Sequence, residues 1–306
     1  MLEHSQLRGI FPALVTPVES NDTIDVAAAE ALFSWLKQQG VDGVVPLGGT
    51  GEYGALPRRE RVRYVELVAK AFGGKAPVVA GVLDTGFHDA MQSAQEFAAA
   101  GADGVLVITP YYTNPTQIGI RDYFLRYADQ SPLPILIYEI PYRTRIAVDP
   151  EILHELSSHE RVIGMKACNT DVYHYLRVMA GISSTFTVLS GEDTLFPLHV
   201  AAGAKGGIVV TANLLPRLWQ RMAQLAATGS LNEAIALHRE LLPFLNMVFS
   251  ETNPGPMKSV LDLIDVRAPR VLMPLRPSKS DLQNALYDET KRLLAKYEWA
   301  RETEPG

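Results

Sequence analysis

A single cysteine, Cys168, stands in the whole chain, which rules out an intrachain disulfide and any zinc site built from several thiolates. No apolar run approaches the ~18 residues of a membrane-spanning helix, and the opening MLEHSQLRGIF lacks the long apolar segment of a secretory signal. The seven histidines show no H-E-x-x-H or other ligand spacing, so no metal is expected. Lys and Arg number 28 against 34 Asp and Glu, and the net charge of −6 leaves no broad cationic footprint for nucleic acid. These absences predict a cytoplasmic protein that acts on small molecules, with neither membrane nor nucleic acid as partner.

What is present is apolar and alternating. Hydrophobic residues make up 47% of the 306, enough for a substantial core. Eight short apolar runs read as strands: residues 9–17, 41–47, 76–82, 102–108, 133–138, 161–166, 186–191 and 205–210. A helical pattern separates each pair, the first from near Asp25 to Gly40 and the second from near Pro57. QQGVDGVVPL, AAGADGVLVI and AAGAKGGIVV repeat one junction, a helix-ending glycine followed by a short polar step and a strand. This α/β alternation predicts a (β/α)8 TIM barrel over residues 1–225. Residues 230–249, 256–264 and 280–300 read as helices of a C-terminal appendage spanning 226–306.

Gly49, Gly51 and Gly54 in VVPLGGTGEYGAL have the G-x-G-x-x-G spacing of a dinucleotide turn. That turn needs a helix starting among its glycines, so that the helix's first amides hold the pyrophosphate. Here the helix is expected only at Pro57, and no acid ends a strand ~20 positions on. Loosened amides plus the Thr50 hydroxyl suit a small carboxylate instead. At the same rim of the expected barrel, RVIGMK ends in Lys166 and LPILIY in Tyr138, with Arg143 in the following loop. A desolvated lysine favours its neutral amine, which can attack a ketone, and a phenol and a guanidinium beside it complete a Schiff-base site. Cys168 has no histidine near it in sequence and reads as a small buried residue; Arg58 to Arg63 reads as a solvated helix face.

GGTGE, TPYYTNP, YEIPYRT, GMKACNTD, SGED and GGIVVTANLLP follow in an order and at separations that resemble the dihydrodipicolinate synthase/N-acetylneuraminate lyase family of pyruvate-dependent class I aldolases. The likeness runs from about Arg8 to NPGPMK near the C-terminus. It implies that Lys166 forms the Schiff base with pyruvate or another 2-oxo acid and that Tyr138 moves protons to and from the adduct. Gly49 and Thr50 would hold the oxo acid's carboxylate, Arg143 the acidic aldehyde partner, and the Ile208 carbonyl would lie near the lysine. Tyr112 would reach into a neighbouring subunit's site, implying a homodimer or homotetramer. No separate cofactor is implied, since the lysine itself carries the substrate.

The chain also departs from that family's pattern. Gly49 stands where a threonine hydroxyl links the two tyrosines, and Glu139 where an asparagine follows the catalytic tyrosine. Tyr142 replaces a small residue, and arginines at 58 and 61 take the place of histidines that belong to a lysine-inhibition site. Glu139 is therefore expected at the rim of the second-substrate pocket. The reading is a 2-oxo-acid lyase performing aldol cleavage, condensation or dehydration with pyruvate or a 2-keto-3-deoxy acid. The alternatives are 4-hydroxy-tetrahydrodipicolinate synthesis itself and a non-catalytic oxo-acid-binding barrel.

Overall fold

The computed structural model describes residues 2–299. Seven parallel strands form one sheet: β1 (Gly9–Pro12), β2 (Val79–Val82), β3 (Gly104–Ile108), β4 (Ile135–Glu139), β5 (Val162–Ala167), β6 (Thr187–Ser190) and β7 (Gly206–Val209). Their order is β1-β7-β6-β5-β4-β3-β2, and from β2 to β7 every strand residue is buried. Burial on both faces is what an all-parallel sheet covered by helices requires, and it explains the unbroken Val/Ile/Leu runs.

The expected strand over 41–47 is not a strand; it holds only isolated parallel bridges, Ala13 with Val45 and Val44 with Val78. Two local features cut its ladder short. Pro46 has no amide to donate, and Leu47 turns away at φ +65°. At the other end the Asp42 carboxylate, rather than a carbonyl, takes the Ile10 amide at 2.7 Å. The segment still hydrogen-bonds to both sheet edges: Val45 N to Pro12 O on one side, Val79 N to Val44 O and Gly81 N to Pro46 O on the other.

The helices start where capping chemistry places them. Asp25 caps Val26–Gln38 by accepting the Ala28 amide, and Gly40 follows at φ +66°. Arg58–Phe72 begins directly after Pro57, so its free amides lie beyond the glycines at 49–54. In the C-terminal part, Leu231–Val248 and Ser280–Tyr297 are long helices, and the last residue expected in the second, Ala300, lies outside the described residues. The helix expected over 256–264 is instead one turn, Gly255–Lys258, followed by a 3-10 turn, Leu261–Ile264. The expected boundary at 225 falls inside the helix Pro216–Ala227. Among the described residues no helix is long and apolar enough to cross a membrane.

Candidate active site

Strand order and register bring the central pair together. β4 and β5 are neighbours with Tyr138 directly opposite Lys166, and the Lys166 Nζ lies 4.6 Å from the Tyr138 ring centroid. Both side chains are buried, and among the described residues Lys166 has no ion pair. Burial pushes the Tyr138 phenol well above its ordinary value, so it stays protonated as a donor.

On the other side of Lys166, β6 ends at Ser190, paired with Ala167, and Gly191 follows. The Gly191 amide donates to Ala167 O at 2.7 Å, and a Cβ there would stand 2.2 Å from Cys168 Sγ and 2.6 Å from Lys166 Cγ. Only glycine lets this backbone lie against the lysine stem. Of the two acids that follow, Asp193 commits both oxygens to Val210 N, Thr211 N and Thr211 Oγ1. Glu192 accepts Thr194 Oγ1 at 2.8 Å and lines the cavity. Burial raises the pKa of both carboxyls.

The glycine loop is a run of turns, with Gly51 N donating to Gly48 O and Glu52 N to Gly49 O. Among the described residues the amides of Gly49 and Thr50 have no protein acceptor, which leaves them to a bound group. Gly51 is sterically required, since a Cβ there would meet the Leu47 backbone nitrogen at 2.8 Å; Gly49 is not, its Cβ meeting only the Arg143 guanidinium at 3.9 Å. The C-terminal part anchors this loop from beneath. Glu52 pairs with Lys258 at 2.5 Å in full burial and accepts the Leu272 amide at 2.6 Å, while Asn253 Nδ2 donates to Thr50 Oγ1 at 2.8 Å.

Gly49, Thr50, Tyr138, Arg143 and Lys166 thus line one cavity of about 640 Å³. Tyr142, Glu192, Asp193, Thr194 and residues 249–253 are also part of its wall. The other three expected site residues do not line this cavity, but only for Glu139 does that depart from the expected role, since Ile208 was expected to act through its carbonyl and Tyr112 in a neighbouring subunit. Glu139 points to the opposite face from Tyr138, as successive strand residues must. Its Oε1 accepts Val148 N and Asn169 Nδ2 and meets His174 Nε2, each at 3.3 Å, so it does not sit at the second-substrate rim. Ile208 is buried within β7, and Val210 lines the cavity. Tyr112 is 88% exposed and stands outside the cavity of its own chain.

Glu192 was already within the SGED motif, but sequence alone assigned it no role. Residues 249–253 carried no chemical signal beyond the NPGPMK likeness. Cys168 is buried, donates to Gly191 O, and has its thiol pushed up to about 12, which makes it inert. The arginine run is not uniformly solvated: Arg61 pairs with Asp84 at 3.2 Å and Arg58 with Glu96 at 2.9 Å. Among the described residues no group of three or more His, Cys, Asp or Glu is placed to hold a metal.

Comparison with known proteins adds an independent line. The pattern of the Dihydrodipicolinate synthetase family matches residues 6–293. The 4-hydroxy-tetrahydrodipicolinate synthase of Acidiphilium cryptum is 36% identical over 88% of this chain and 92% of its own. The dihydrodipicolinate synthase of Aquifex aeolicus superposes with a TM-score of 0.88 at 30% identity, covering 95% of this chain and 98% of that one. A monomeric dihydrodipicolinate synthase variant superposes with a TM-score of 0.89 at 29% identity, covering 94% and 98%.

Proposed function

Since this chain belongs to the dihydrodipicolinate synthetase family, we propose that it is a Schiff-base-forming 2-oxo-acid lyase that makes or breaks a carbon–carbon bond to an aldehyde partner, or eliminates water, through a Lys166 enamine. One observation carries the reading: a buried, unpaired lysine stands beside a buried phenol in the cavity that also exposes the Gly49 and Thr50 amides. The Lys166 amine attacks the keto carbon, and the adduct loses water to give an iminium. The Tyr138 phenol, still protonated, supplies the proton for the departing hydroxyl. The oxo acid's carboxylate sits on the Gly49 and Thr50 amides. Arg143, close to Gly49, holds the far end of the partner. Lys166 carries the substrate covalently, so the chemistry needs no separate cofactor.

The cavity wall speaks to the partner. Glu192, Thr194, Ser250, Glu251, Thr252 and Asn253 offer hydroxyl, amide and carboxyl groups. They suit the neutral hydroxylated chain of a 2-keto-3-deoxy sugar acid better than a second carboxylate, which Glu192 and Glu251 repel. Arg143 and the name of the Acidiphilium relative favour a second reading, condensation of pyruvate with aspartate semialdehyde. The hydrogen bonds from residues 44–46 to both sheet edges support closure as a (β/α)8 barrel over 1–225 with a helical extension over 226–306. The protein is read as a cytoplasmic homodimer or homotetramer.

Pyruvate with borohydride is expected to add one pyruvate-derived mass per chain at Lys166; label that persists in Lys166→Ala overturns the assignment. On the same protein, 2-keto-3-deoxygluconate cleavage is expected to outrun semialdehyde condensation. The reverse order makes the second reading the correct one.

A further inference from the structure

Glu139 stands on the face of β4 opposite Tyr138 and is 1% exposed. Its Oε1 gathers nitrogens from three segments, each at 3.3 Å: Val148 N from the chain after Arg143, Asn169 Nδ2 from the chain after Lys166, and His174 Nε2 from the helix Val172–Gly181. We propose that Glu139 is a positioning residue, which from behind the sheet fixes the turn that carries Arg143 and so sets the affinity for the partner without touching either substrate. The inference rests on the reading above, in which Lys166 forms the imine and Arg143 holds the partner.

The Arg143 turn needs such an anchor. Arg143 lies on a single helical turn, Pro141–Thr144, which ends in Arg145 at a left-handed φ of +62°. Among the described residues its guanidinium makes no hydrogen bond or ion pair, and it stands 6.0 Å from the Tyr142 ring centroid. Its place in the cavity therefore follows the backbone beneath it. The turn's own bonds, Arg143 N and Thr144 N to Ile140 O at 3.0 Å and Arg145 N to Pro141 O at 2.8 Å, keep its shape but attach it to nothing else. Among the described residues, two side chains from outside residues 140–149 hydrogen-bond to that backbone. Glu139 takes Val148 N, while Gln117 takes Asp149 N and donates to Ala147 O, both at 2.9 Å. Gln117 is half-buried at the start of the helix Gln117–Gln130, whereas Glu139 belongs to the sheet itself.

Lys166 does not depend on the same carboxyl. Its strand is paired on both sides, with β4 and with β6. The chain beyond it is tied by the backbone bond from Cys168 N to Glu139 O at 2.9 Å, which any residue at 139 would keep. At this depth a carboxylate calls for a cationic partner as well as neutral donors, and His174 is placed to be that partner. Glu139 in turn pushes the His174 pKa above its ordinary value, with Asp171 acting the same way and burial and Arg177 opposing.

The test asks whether Glu139 acts through Arg143. Glu139→Ala and Glu139→Gln are made in the full chain, each alone and combined with Arg143→Ala. Two assays report on Lys166: borohydride trapping of pyruvate, and exchange of its C3 hydrogens in deuterium oxide. A third reports on the partner: kcat/KM for condensation of pyruvate with D-glyceraldehyde or aspartate semialdehyde, whichever wild type consumes faster. Glu139→Ala is expected to keep trapping and exchange within about threefold while the partner kcat/KM falls about tenfold or more through KM, the size of one hydrogen bond to a charged group. Glu139→Gln keeps the bulk but loses the charge facing His174, and is expected to fall by about threefold. It carries the test should Glu139→Ala fail to fold. With Arg143→Ala already present, neither substitution is expected to lower the rate further, because residues that act through one another are not additive. A partner kcat/KM unchanged in both variants overturns the proposal. So does a parallel loss of trapping, which makes Glu139 a support for the lysine, and so does an undiminished loss in the Arg143→Ala background. Wild type that is trapped yet condenses with neither aldehyde overturns it too, since Arg143 then has no partner to hold. Wild type that cannot be trapped at Lys166 overturns the Schiff-base reading itself, so the two failures are told apart.

Discussion

At the scale of single residues, the lysine owes its position to a glycine as much as to its strand. Lys166 has β4 on one side and the Gly191 backbone on the other, with no room for a methyl group between them. Gly191→Ala would press against Lys166 Cε at 2.8 Å as well as its Cγ, and the flexible lysine, rather than the backbone, would give way. A displacement near 1 Å at a reacting atom costs ~10²-fold in rate. We therefore expect Gly191→Ala to fold and bind pyruvate but to trap it with borohydride ~10²-fold more slowly. Stopped-time mass spectrometry of the adduct reads this directly, and an undiminished trapping rate would show that the close approach is immaterial.

Between elements, the C-terminal part holds the first half of the chain by buried polar contacts. Lys258 and Glu52 do so beneath the glycine loop. Glu298, just past Ser280–Tyr297, caps the helix Pro216–Ala227 by accepting Leu218 N at 3.0 Å and Arg217 N at 3.2 Å. Burial pushes the Glu298 carboxyl up to about 7, because desolvation outweighs those two amides. A carboxyl whose pKa is higher folded than unfolded adds stability below its unfolded value near 4.5 and loses it as the pH climbs through 7. The loss is on the order of 3 kcal/mol. Chemical unfolding across pH 4.5–8 should show that downward slope in wild type and a flatter profile in Glu298→Gln. Parallel profiles would assign the slope to other groups.

For the whole molecule, Tyr112 is the outlier. It is a large aromatic residue 88% exposed, and its φ of +71° is strained for a non-glycine residue. Such strain costs ~1–3 kcal/mol and persists where function requires the conformation. A second copy of the chain that takes Tyr112 into its own site gives the exposure and the strain one explanation. Lys166→Ala and Tyr112→Ala chains, each impaired alone, should then regain activity when unfolded together and refolded, since a mixed dimer holds one site with both residues intact. Activity that stays at the level of the separate variants would place Tyr112 outside catalysis in the partner.

The alternation of apolar runs with amphipathic segments was enough to name the α/β class, the paired rim positions of Tyr138 and Lys166, and the helix start at Pro57 that argues against a pyrophosphate site. All of these depend on neighbours a few residues away, or on one strand following the next. Even the outward turn of Glu139 was legible in principle: successive residues of a strand face opposite ways, so a carboxyl next to an inward Tyr138 must face out. The truncation of the 41–47 strand needed more, because Asp42 captures an amide on β1 that sequence places 32 positions away. The floor and far wall of the site needed the folded chain. Lys258 reaches Glu52 and Asn253 reaches Thr50 across more than 200 positions. Glu192 and Asp193 both line the cavity, and Asp193 is tied down only once the chain leaving β7 delivers the Val210 and Thr211 amides to it. Local sequence sets the period and the caps, but which of two adjacent acids is tied to the barrel backbone is decided by the donors that distant segments bring to it.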